Sequence, residues 1–268
     1  MTDGTGRRAL VTGASSGIGL AFARVLAERG YDLILTARRQ DRLQAIAEGL
    51  TRRHSIDVAI ELADLAQPDA VAHLVAALDV RGLTVDVLIN NAGFGVPGSY
   101  VSTTWAEQQR FLQVLVVALA ELAHRLLPGM VERRWGRIVN VASLAGLLPG
   151  VAGHTLYAAS KAFVITFSES LALEAAPHGV HVSASCPGFT LTEFHDVTGT
   201  RDKVSRMPKF MWSDADEVAR ASYDAVMAGV PVFVPGRLNR AIATLARVLP
   251  GSLVMVAMKG TAGRYRKT

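Results

Sequence analysis

The sequence predicts a doubly wound parallel sheet in a single α/β domain, and three observations lead to this fold class. Short, nearly continuous apolar segments alternate with helix-like segments along most of the 268 residues. Strands have this composition when helices cover both faces of a parallel sheet. A glycine-rich turn follows the first strand, and no linker rich in Pro, Gly or Ser divides the chain. We therefore expect one domain over 1–268, with about seven strands.

Each element follows from its own pattern. Short apolar runs bounded by turn residues predict strands at 9–12, 33–36, 58–60, 85–89, 137–141, 180–184 and 231–234. Between them, apolar residues at helical spacing predict helices at 17–29, 40–53, 68–78, 104–132, 154–176 and 214–228. Gly30 directly follows the first of these helices, as is common at a helix end.

Two helices are more apolar than one sheet face requires. Residues 111–127 and 156–173 are hydrophobic nearly all round. Either a second subunit covers them or a thick core forms beneath the C-terminal tail. We expect a homodimer or homotetramer, and the sequence does not distinguish the two.

The composition limits the cellular compartment and the binding partners that we expect. Cys186 is the only cysteine, so no intrachain disulfide forms, and the polar N-terminus does not read as a signal peptide. We expect a cytoplasmic protein with Cys186 packed in its core. No apolar run approaches the ~20 residues that span a bilayer. No metal site is expected, and no motif indicates a nucleic-acid partner.

The net charge of +5 comes from the end of the chain. Residues after Asp224 carry +7, and the remainder carries −2. The extension 237–268 is both basic and apolar. We expect it to pack within the protein; alternatives are an anionic membrane surface or an acidic partner that carries an acyl substrate.

The first strand runs into the turn Thr12-Gly13-Ala14-Ser15-Ser16-Gly17-Ile18-Gly19 and then into a helix. Glycines let the backbone approach a pyrophosphate, and N–H groups at the helix N-terminus meet its charge. No Gly-Lys-Ser/Thr sequence is present, which disfavours a nucleotide-hydrolysing P-loop. The turn predicts a dinucleotide site.

The end of the second strand discriminates between cofactors. An NAD site places an acidic residue there to bind the ribose 2′-OH. This chain has Arg38 and Arg39, with no acid before Asp41. Because a guanidinium suits a 2′-phosphate, the sequence predicts NADP over NAD. The alternative is that both arginines are merely solvated.

Tyr157 and Lys161 are spaced to act together. At i and i+4 they share a helix face, with Cβ atoms ~5–6 Å apart. An ammonium ~4 Å from a phenol favours phenolate by ~4 kcal/mol at an effective dielectric near 20. We therefore expect Lys161 to lower the pKa of Tyr157 towards the working pH, where acid–base catalysis is most effective.

As a whole the sequence resembles the short-chain dehydrogenase/reductase family, in that family's order and spacing. The matching groups are residues 12–19, Asp64-Leu65, Asn90-Asn91-Ala92-Gly93, Ser143, Tyr157 with Lys161, and Pro187-Gly188. The resemblance covers about 8–235. It implies a Rossmann-type fold and an NADP(H)-dependent oxidoreductase, a carbonyl reductase that interconverts a carbonyl and a secondary alcohol.

The resemblance also implies residue roles. Ser143 would hydrogen-bond the substrate oxygen while Tyr157 transfers the proton, and Lys161 would also hold the nicotinamide ribose. Asp64 would contact adenine, and Thr192 or the 188–190 backbone the carboxamide. With the turn and the arginines, the expected cofactor contacts are Thr12, Gly13, Ser15, Ser16, Gly17, Ile18, Gly19, Arg38, Arg39, Asp64, Leu65, Asn90, Ala92, Gly93, Tyr157, Lys161, Pro187, Gly188, Thr190 and Thr192.

Leu115 departs from the family pattern. An Asn normally stands near this position, and it helps to place a water that links the lysine to solvent. There is no Asn between Gly93 and Val139 here. Either water reaches Lys161 by another route, which we favour, or the protein binds NADP(H) with little catalysis and regulates or scaffolds a partner.

Substrate preference is expected to depend on apolar residues after the later strands. One group is Phe189, Phe194, Met207, Phe210, Met211 and Trp212, and another is Phe94, Leu144, Leu147 and Leu148. Both follow strand ends at the same sheet edge, which predicts a covered apolar pocket. Plain packing of a short helix is the alternative. The substrate itself, the stereochemistry and the direction are not encoded in these patterns.

Overall fold

The structure, a computed structural model, describes residues 4–96, 98–150, 155–193, 209–249 and 254. Its sheet contains β1 (Arg8–Thr12), β2 (Asp32–Ala37), β3 (Val58–Leu62), β4 (Val87–Asn90), β5 (Gly136–Val141), β6 (Val180–Ser185) and β7 (Val232–Phe233). All neighbours pair in parallel, in the order β3-β2-β1-β4-β5-β6-β7. The predicted doubly wound fold is confirmed. Strand order reverses between β1 and β4, where ligand crevices open at the carboxyl edge.

Helices cover both faces of this sheet. They are α1 (Gly17–Glu28), α2 (Gln40–His54), α3 (Ala70–Val80), α4 (Trp105–Leu112), α5 (Ala118–Glu132), α6 (Thr155–Ala175), α7 (Ala215–Met227) and α8 (Arg237–Val248). Residues of α1, α2 and α7 share one buried cluster, and residues of α3, α4, α5 and α6 share another.

Strand residues alternate between these two clusters. Ala9 and Val11 of β1 lie in the first, whereas Leu10 lies in the second. Leu33 and Ile34 of β2 are divided in the same way. Both faces of these two strands are therefore buried, which is why they read as continuous apolar runs.

The predicted helix 104–132 contains one irregularity. Thr104 and Glu107 form a capping box that starts α4, but residues Gln113–Val117 form a π-helical turn before α5 begins. The continuous helical stretch Trp105–Glu132 has the length and apolar composition of a membrane-crossing helix. Its Phe111 and Leu122 are nevertheless buried in the core, which accounts for the composition.

The described part of the C-terminal extension packs on the domain. Asn239 and Ala243 of α8 are buried, while Leu238 and Leu245 are exposed. An ideal Cβ on Gly188 would overlap the Asn239 side chain, so α8 lies directly behind the turn that follows β6. Apart from Val254, which is buried, residues beyond 249 lie outside the described part.

Candidate active site

The glycine-rich turn has the shape that a dinucleotide phosphate requires. Gly13 and Gly17 have φ angles of +66° and +57°, which side chains other than glycine rarely adopt. A Cβ on Gly19 would overlap the Asn91 amide and the Gly13 carbonyl. Helix α1 begins at Gly17, so its first N–H groups lie at this turn. These residues fit a pyrophosphate at the helix N-terminus.

Thr12 and Asn91 hold the turn against the end of β4. The Thr12 hydroxyl donates to the Ile89 carbonyl and accepts from the Asn91 and Ala92 N–H groups. The Asn91 amide donates to the Thr12 and Gly13 carbonyls, at 3.0 and 3.3 Å. The Thr12 side chain is buried and supports the turn, and its predicted contact with the cofactor stays a prediction. Asn91 was missed, although the second Asn of the Asn-Asn-Ala-Gly run was the available signal.

Three arginines surround the end of β2. Arg38 is exposed, and the Arg39 guanidinium donates to the hydroxyls of Ser15 and Ser16, at 2.8 and 3.0 Å from Nη2. Arg42 of α2 stands one helical turn further on, and the sequence reasoning missed it. A 2′-phosphate fits the positive charge here better than a free diol would.

The remaining predicted contacts divide into surface and buried residues. Asp64 is partly exposed, lies 3.8 Å from Arg110, and accepts a hydrogen bond from the Ala66 N–H. Leu65 is buried in the core. The buried amide of Asn90 donates to the Leu119 carbonyl and to Asn140, and the predicted cofactor contact of Asn90 stays a prediction. Burial between β5 and α5 therefore makes the Asn90 side chain a structural group.

The segment after β6 borders the turn. Pro187 accepts a hydrogen bond from the Leu144 N–H at 2.9 Å, and the Thr190 hydroxyl donates to the Gly188 carbonyl at 3.2 Å. Thr192 lies against Gly17, since a Cβ there would come within 3.2 Å of the Thr192 Cβ. Thr192 therefore borders the glycine turn, and its contact with the carboxamide stays a prediction.

Ser143, Tyr157 and Lys161 come together where β5 meets α6. Ser143 follows β5 and caps the 3₁₀ turn Leu144–Leu147 by accepting from the Ala145 N–H. Gly146 lets this turn pack tightly on α6, because a Cβ there would overlap the Lys161 backbone. The Ser143 side chain hydrogen-bonds the phenol of Tyr157. Lys161 donates from Nζ to the Val141 carbonyl at 2.7 Å.

The pKa of Tyr157 moves opposite to the sequence prediction. Burial raises this pKa, and only the hydrogen bond with Ser143 opposes the rise. The Lys161 ammonium lies 5.9 Å from the centre of the tyrosine ring, and burial lowers the pKa of Lys161 to about 8. The spacing of the two residues predicts that they share a helix face, but it does not show the desolvation that raises the pKa of Tyr157.

Cys186 lies beneath this group. It is fully buried, and burial raises the pKa of its thiol to about 12. The predicted packed thiol is confirmed.

A small pocket opens beside Tyr157. Its lining consists of Val96, Gly98, Ser99, Tyr100, Gln108, Phe111, Thr155, Leu156 and Tyr157. Phe94 of the predicted apolar set packs edge-to-face on Phe111, with ring centres 5.8 Å apart. Phe189 and Trp212 contact each other at 5.9 Å, whereas Phe210 is exposed. Phe194 and Met207 lie outside the described residues.

Leu115 lies in the π-helical turn and is buried. A Cβ on Gly93 would stand 3.8 Å from two carbons of the Leu115 side chain. The position that carries a polar amide in the resembled family is therefore filled by a hydrocarbon next to the Asn-Asn-Ala-Gly segment.

Comparison with known proteins shows which family this chain belongs to. The family model described as short chain dehydrogenase matches residues 7–203. A Myxococcus xanthus oxidoreductase is 35% identical over 260 residues, 97% of this chain and 99% of the relative. The structure of a Sphingobium yanoikuyae short-chain dehydrogenase in complex with NADPH is 33% identical, with a TM-score of 0.78 and coverage of 91% and 96%. A Comamonas testosteroni alcohol dehydrogenase specific for bulky-bulky ketones is 29% identical, with a TM-score of 0.75 and coverage of 91% and 95%. The protein belongs to the short-chain dehydrogenase/reductase family of oxidoreductases.

Proposed function

We propose that this protein is an NADP(H)-dependent carbonyl reductase that converts an apolar ketone or aldehyde into an alcohol. The observation that carries the proposal is the hydrogen bond between the partly exposed side chains of Ser143 and Tyr157, beside Lys161 and on the sheet edge that bears the glycine turn. An acid and a hydrogen-bond donor thereby converge at one position next to a nucleotide site.

The cofactor assignment has two supports. Positive charge from Arg38, Arg39 and Arg42 surrounds the end of β2, and β2 ends without an acidic residue. The Sphingobium relative, 33% identical, is a complex with NADPH. NADPH would supply the hydride that adds to the carbonyl carbon.

The residues of this chain would handle the proton and the oxygen. Burial raises the pKa of Tyr157, so the phenol is protonated at neutral pH and can donate its proton to the forming alkoxide. The Ser143 hydroxyl hydrogen-bonds the same oxygen as negative charge develops. Lys161 keeps one N–H on the Val141 carbonyl and has two further donors, which suit ribose hydroxyls and the tyrosine oxygen.

The pocket beside Tyr157 suits an apolar substrate with a polar attachment point. Val96, Phe111 and Leu156 supply apolar surface, and the buried Gln108 supplies an amide. The Comamonas relative is specific for bulky ketones, which agrees with a substrate of this kind.

A second candidate is a catalytically weak NADP(H)-binding protein that regulates or scaffolds a partner. Leu115 is the specific observation behind it, because a buried hydrocarbon replaces the amide that supports proton supply in the family. Because Ser143, Tyr157 and Lys161 are all present and grouped, we favour the enzyme.

The test compares wild type with Tyr157→Phe. NADPH oxidation is followed over a panel of ketones and aldehydes, with NADH in parallel, and NADPH binding is measured by fluorescence. We expect turnover by wild type and a loss of about 10²–10⁴-fold in Tyr157→Phe, with binding retained. If both proteins bind NADPH and neither reduces any carbonyl, the proposed enzymatic function is wrong. The second candidate function, an NADP(H)-binding protein with little catalysis, is then supported.

Assembly and location are part of the proposal. The exposed face of α6 presents Phe163 and Leu173, which supports a homodimer or homotetramer. Burial of Asn239 and Ala243 supports packing of α8 within the protein rather than on a membrane. The single buried thiol of Cys186 agrees with a cytoplasmic protein.

A further inference from the structure

Glu193 joins the end of β2 to the segment that follows β6. Its carboxylate accepts hydrogen bonds from Arg39 Nη1 at 3.1 Å and from Arg42 Nη1 at 2.7 and 2.9 Å. The hydrogen bonds from Arg42 and then Arg39 lower the pKa of Glu193, so the group is ionised at neutral pH. A carboxylate therefore already binds two of the three arginines expected to recognise a 2′-phosphate.

Each of the three guanidinium nitrogens of Arg39 already donates a hydrogen bond in this arrangement. Its Nε and Nη2 donate to Ser15, Nη2 also reaches Ser16, and Nη1 donates to Glu193. A phosphate that approaches Nη1 of Arg39 meets the Glu193 carboxylate already bound to that nitrogen, and the two anions would repel each other. The exposed carboxylate is the acceptor best able to leave, because it returns to water and removes a like charge.

The backbone next to Glu193 lies over the phosphate turn. Thr192 packs against Gly17, so Glu193 is held at the mouth of the nucleotide crevice by the chain itself. An ordinary surface ion pair would have no such relation to a ligand site.

We propose that Glu193 is a built-in competitor of the ribose 2′-phosphate, which sets how strongly the protein prefers NADP(H) to NAD(H). The carboxylate neutralises Arg39 and Arg42 until the phosphate replaces it. This inference rests on the proposed NADP(H) site and adds a specificity-determining residue to it. A purely structural role makes the opposite prediction, since loss of the ion pair would then loosen the site and weaken nucleotide binding.

The experiment uses fragments that differ only in the 2′-phosphate. Adenosine 2′,5′-bisphosphate and adenosine 5′-monophosphate are titrated calorimetrically into wild type and Glu193→Gln at low ionic strength. Glu48→Gln is the matched control, because Glu48 is an exposed carboxylate on α2. We expect Glu193→Gln to bind the bisphosphate about 3–5-fold more tightly, which is within the range for an exposed ion pair. Binding of the monophosphate should stay within about twofold, and the gain should shrink at high salt.

The outcomes separate this inference from the cofactor assignment. If wild type prefers the bisphosphate but Glu193→Gln binds it equally or more weakly, the competitor role is wrong and the NADP(H) site stands. If wild type shows no preference for the bisphosphate, the NADP(H) site and the competitor role both fail. An equal gain in Glu48→Gln would show a general charge effect and would also overturn the role of Glu193.

Discussion

At the scale of one residue, burial of the Lys161 ammonium in the candidate active site lowers the stability of the folded protein. The Lys161 side chain is buried, and burial lowers its pKa from 10.5 to about 8. The charged form is therefore disfavoured in the folded protein by ~3 kcal/mol relative to the unfolded chain. The hydrogen bond to the Val141 carbonyl offsets part of this cost. The chemistry proposed beside Tyr157 gives a reason for a buried ammonium at this position.

The pH dependence of stability tests this cost. Between pH 8 and 10.5 the unfolded chain binds more protons at Lys161 than the folded one, so wild-type stability rises with pH in this window. Below pH 8 both states are protonated and the full penalty is present. Lys161→Met has no such group. We expect its stability relative to wild type to fall by ~2–3 kcal/mol from pH 7 to pH 10, measured by urea unfolding. A constant difference would show that Lys161 titrates normally.

Leu115 permits a second prediction at this scale. Leu115→Asn places an amide in an apolar environment, and we expect a loss of ~1–3 kcal/mol in stability. If water already reaches Lys161 by another route, kcat should stay within about threefold of wild type. A rise in kcat of about tenfold or more would instead show that the wild-type leucine limits proton supply.

Sequence motifs predicted which residues form the catalytic group. They did not predict contacts between residues that lie far apart in the chain. Ser143, Tyr157 and Lys161 come together as the motif implied. Arg42 and Glu193 are separated by 151 positions, so no local pattern relates them. The direction of the Tyr157 pKa was wrong because burial depends on the surrounding fold and not on the spacing to Lys161.

At the scale of elements, strand and helix positions followed closely from periodicity. The predicted strand 137–141 is β5 (Gly136–Val141), and the predicted helix 40–53 is α2 (Gln40–His54). The π-helical turn Gln113–Val117 was not predicted, because one wider turn hardly changes the apolar period of a long helix. β7 is shorter than expected, with two residues at the sheet edge.

The glycine turn gives a prediction for the β1–α1 element. Gly19→Ala places a methyl group on the Asn91 amide and the Gly13 carbonyl. We expect NADPH affinity to fall by at least about tenfold, because hydrogen bonds to a charged group contribute ~1.5–3 kcal/mol each. Gly49→Ala is the control, since nothing lies within 4 Å of the added carbon in α2. The control should bind normally and gain ~0.5–1 kcal/mol in stability. Calorimetry and thermal unfolding check both, and unchanged affinity in Gly19→Ala would contradict the assigned phosphate turn.

At the scale of the whole molecule, the outer face of α6 is one of the places where large apolar side chains stay exposed. Phe163 and Leu173 are 41% and 77% exposed on this helix, and the Phe163 ring stacks on Phe167. The sequence predicted that one sheet face could not bury all of this helix, and the described chain agrees. In the proposed oligomer a second copy of the chain would cover this face, and the apolar period of one helix does not specify how the two copies are arranged.

A charge on this face should therefore change the assembly. We expect Phe163→Asp to lower the mass measured by light scattering to that of a smaller assembly or a monomer, because a carboxylate would be buried without a partner. Val80→Asp is the control, as Val80 is 88% exposed on α3. A wild type that is monomeric at micromolar concentration would contradict the proposed oligomer.

The most direct measurement of the central claim is a crystal structure with NADP⁺ and a ketone or its alcohol. The account predicts that the substrate oxygen accepts hydrogen bonds from both Tyr157 and Ser143, with the carbonyl carbon facing C4 of the nicotinamide. The adenosine 2′-phosphate should lie against Arg38, Arg39 and Arg42. A nicotinamide placed away from Tyr157, or a substrate oxygen that touches neither hydroxyl, would contradict it.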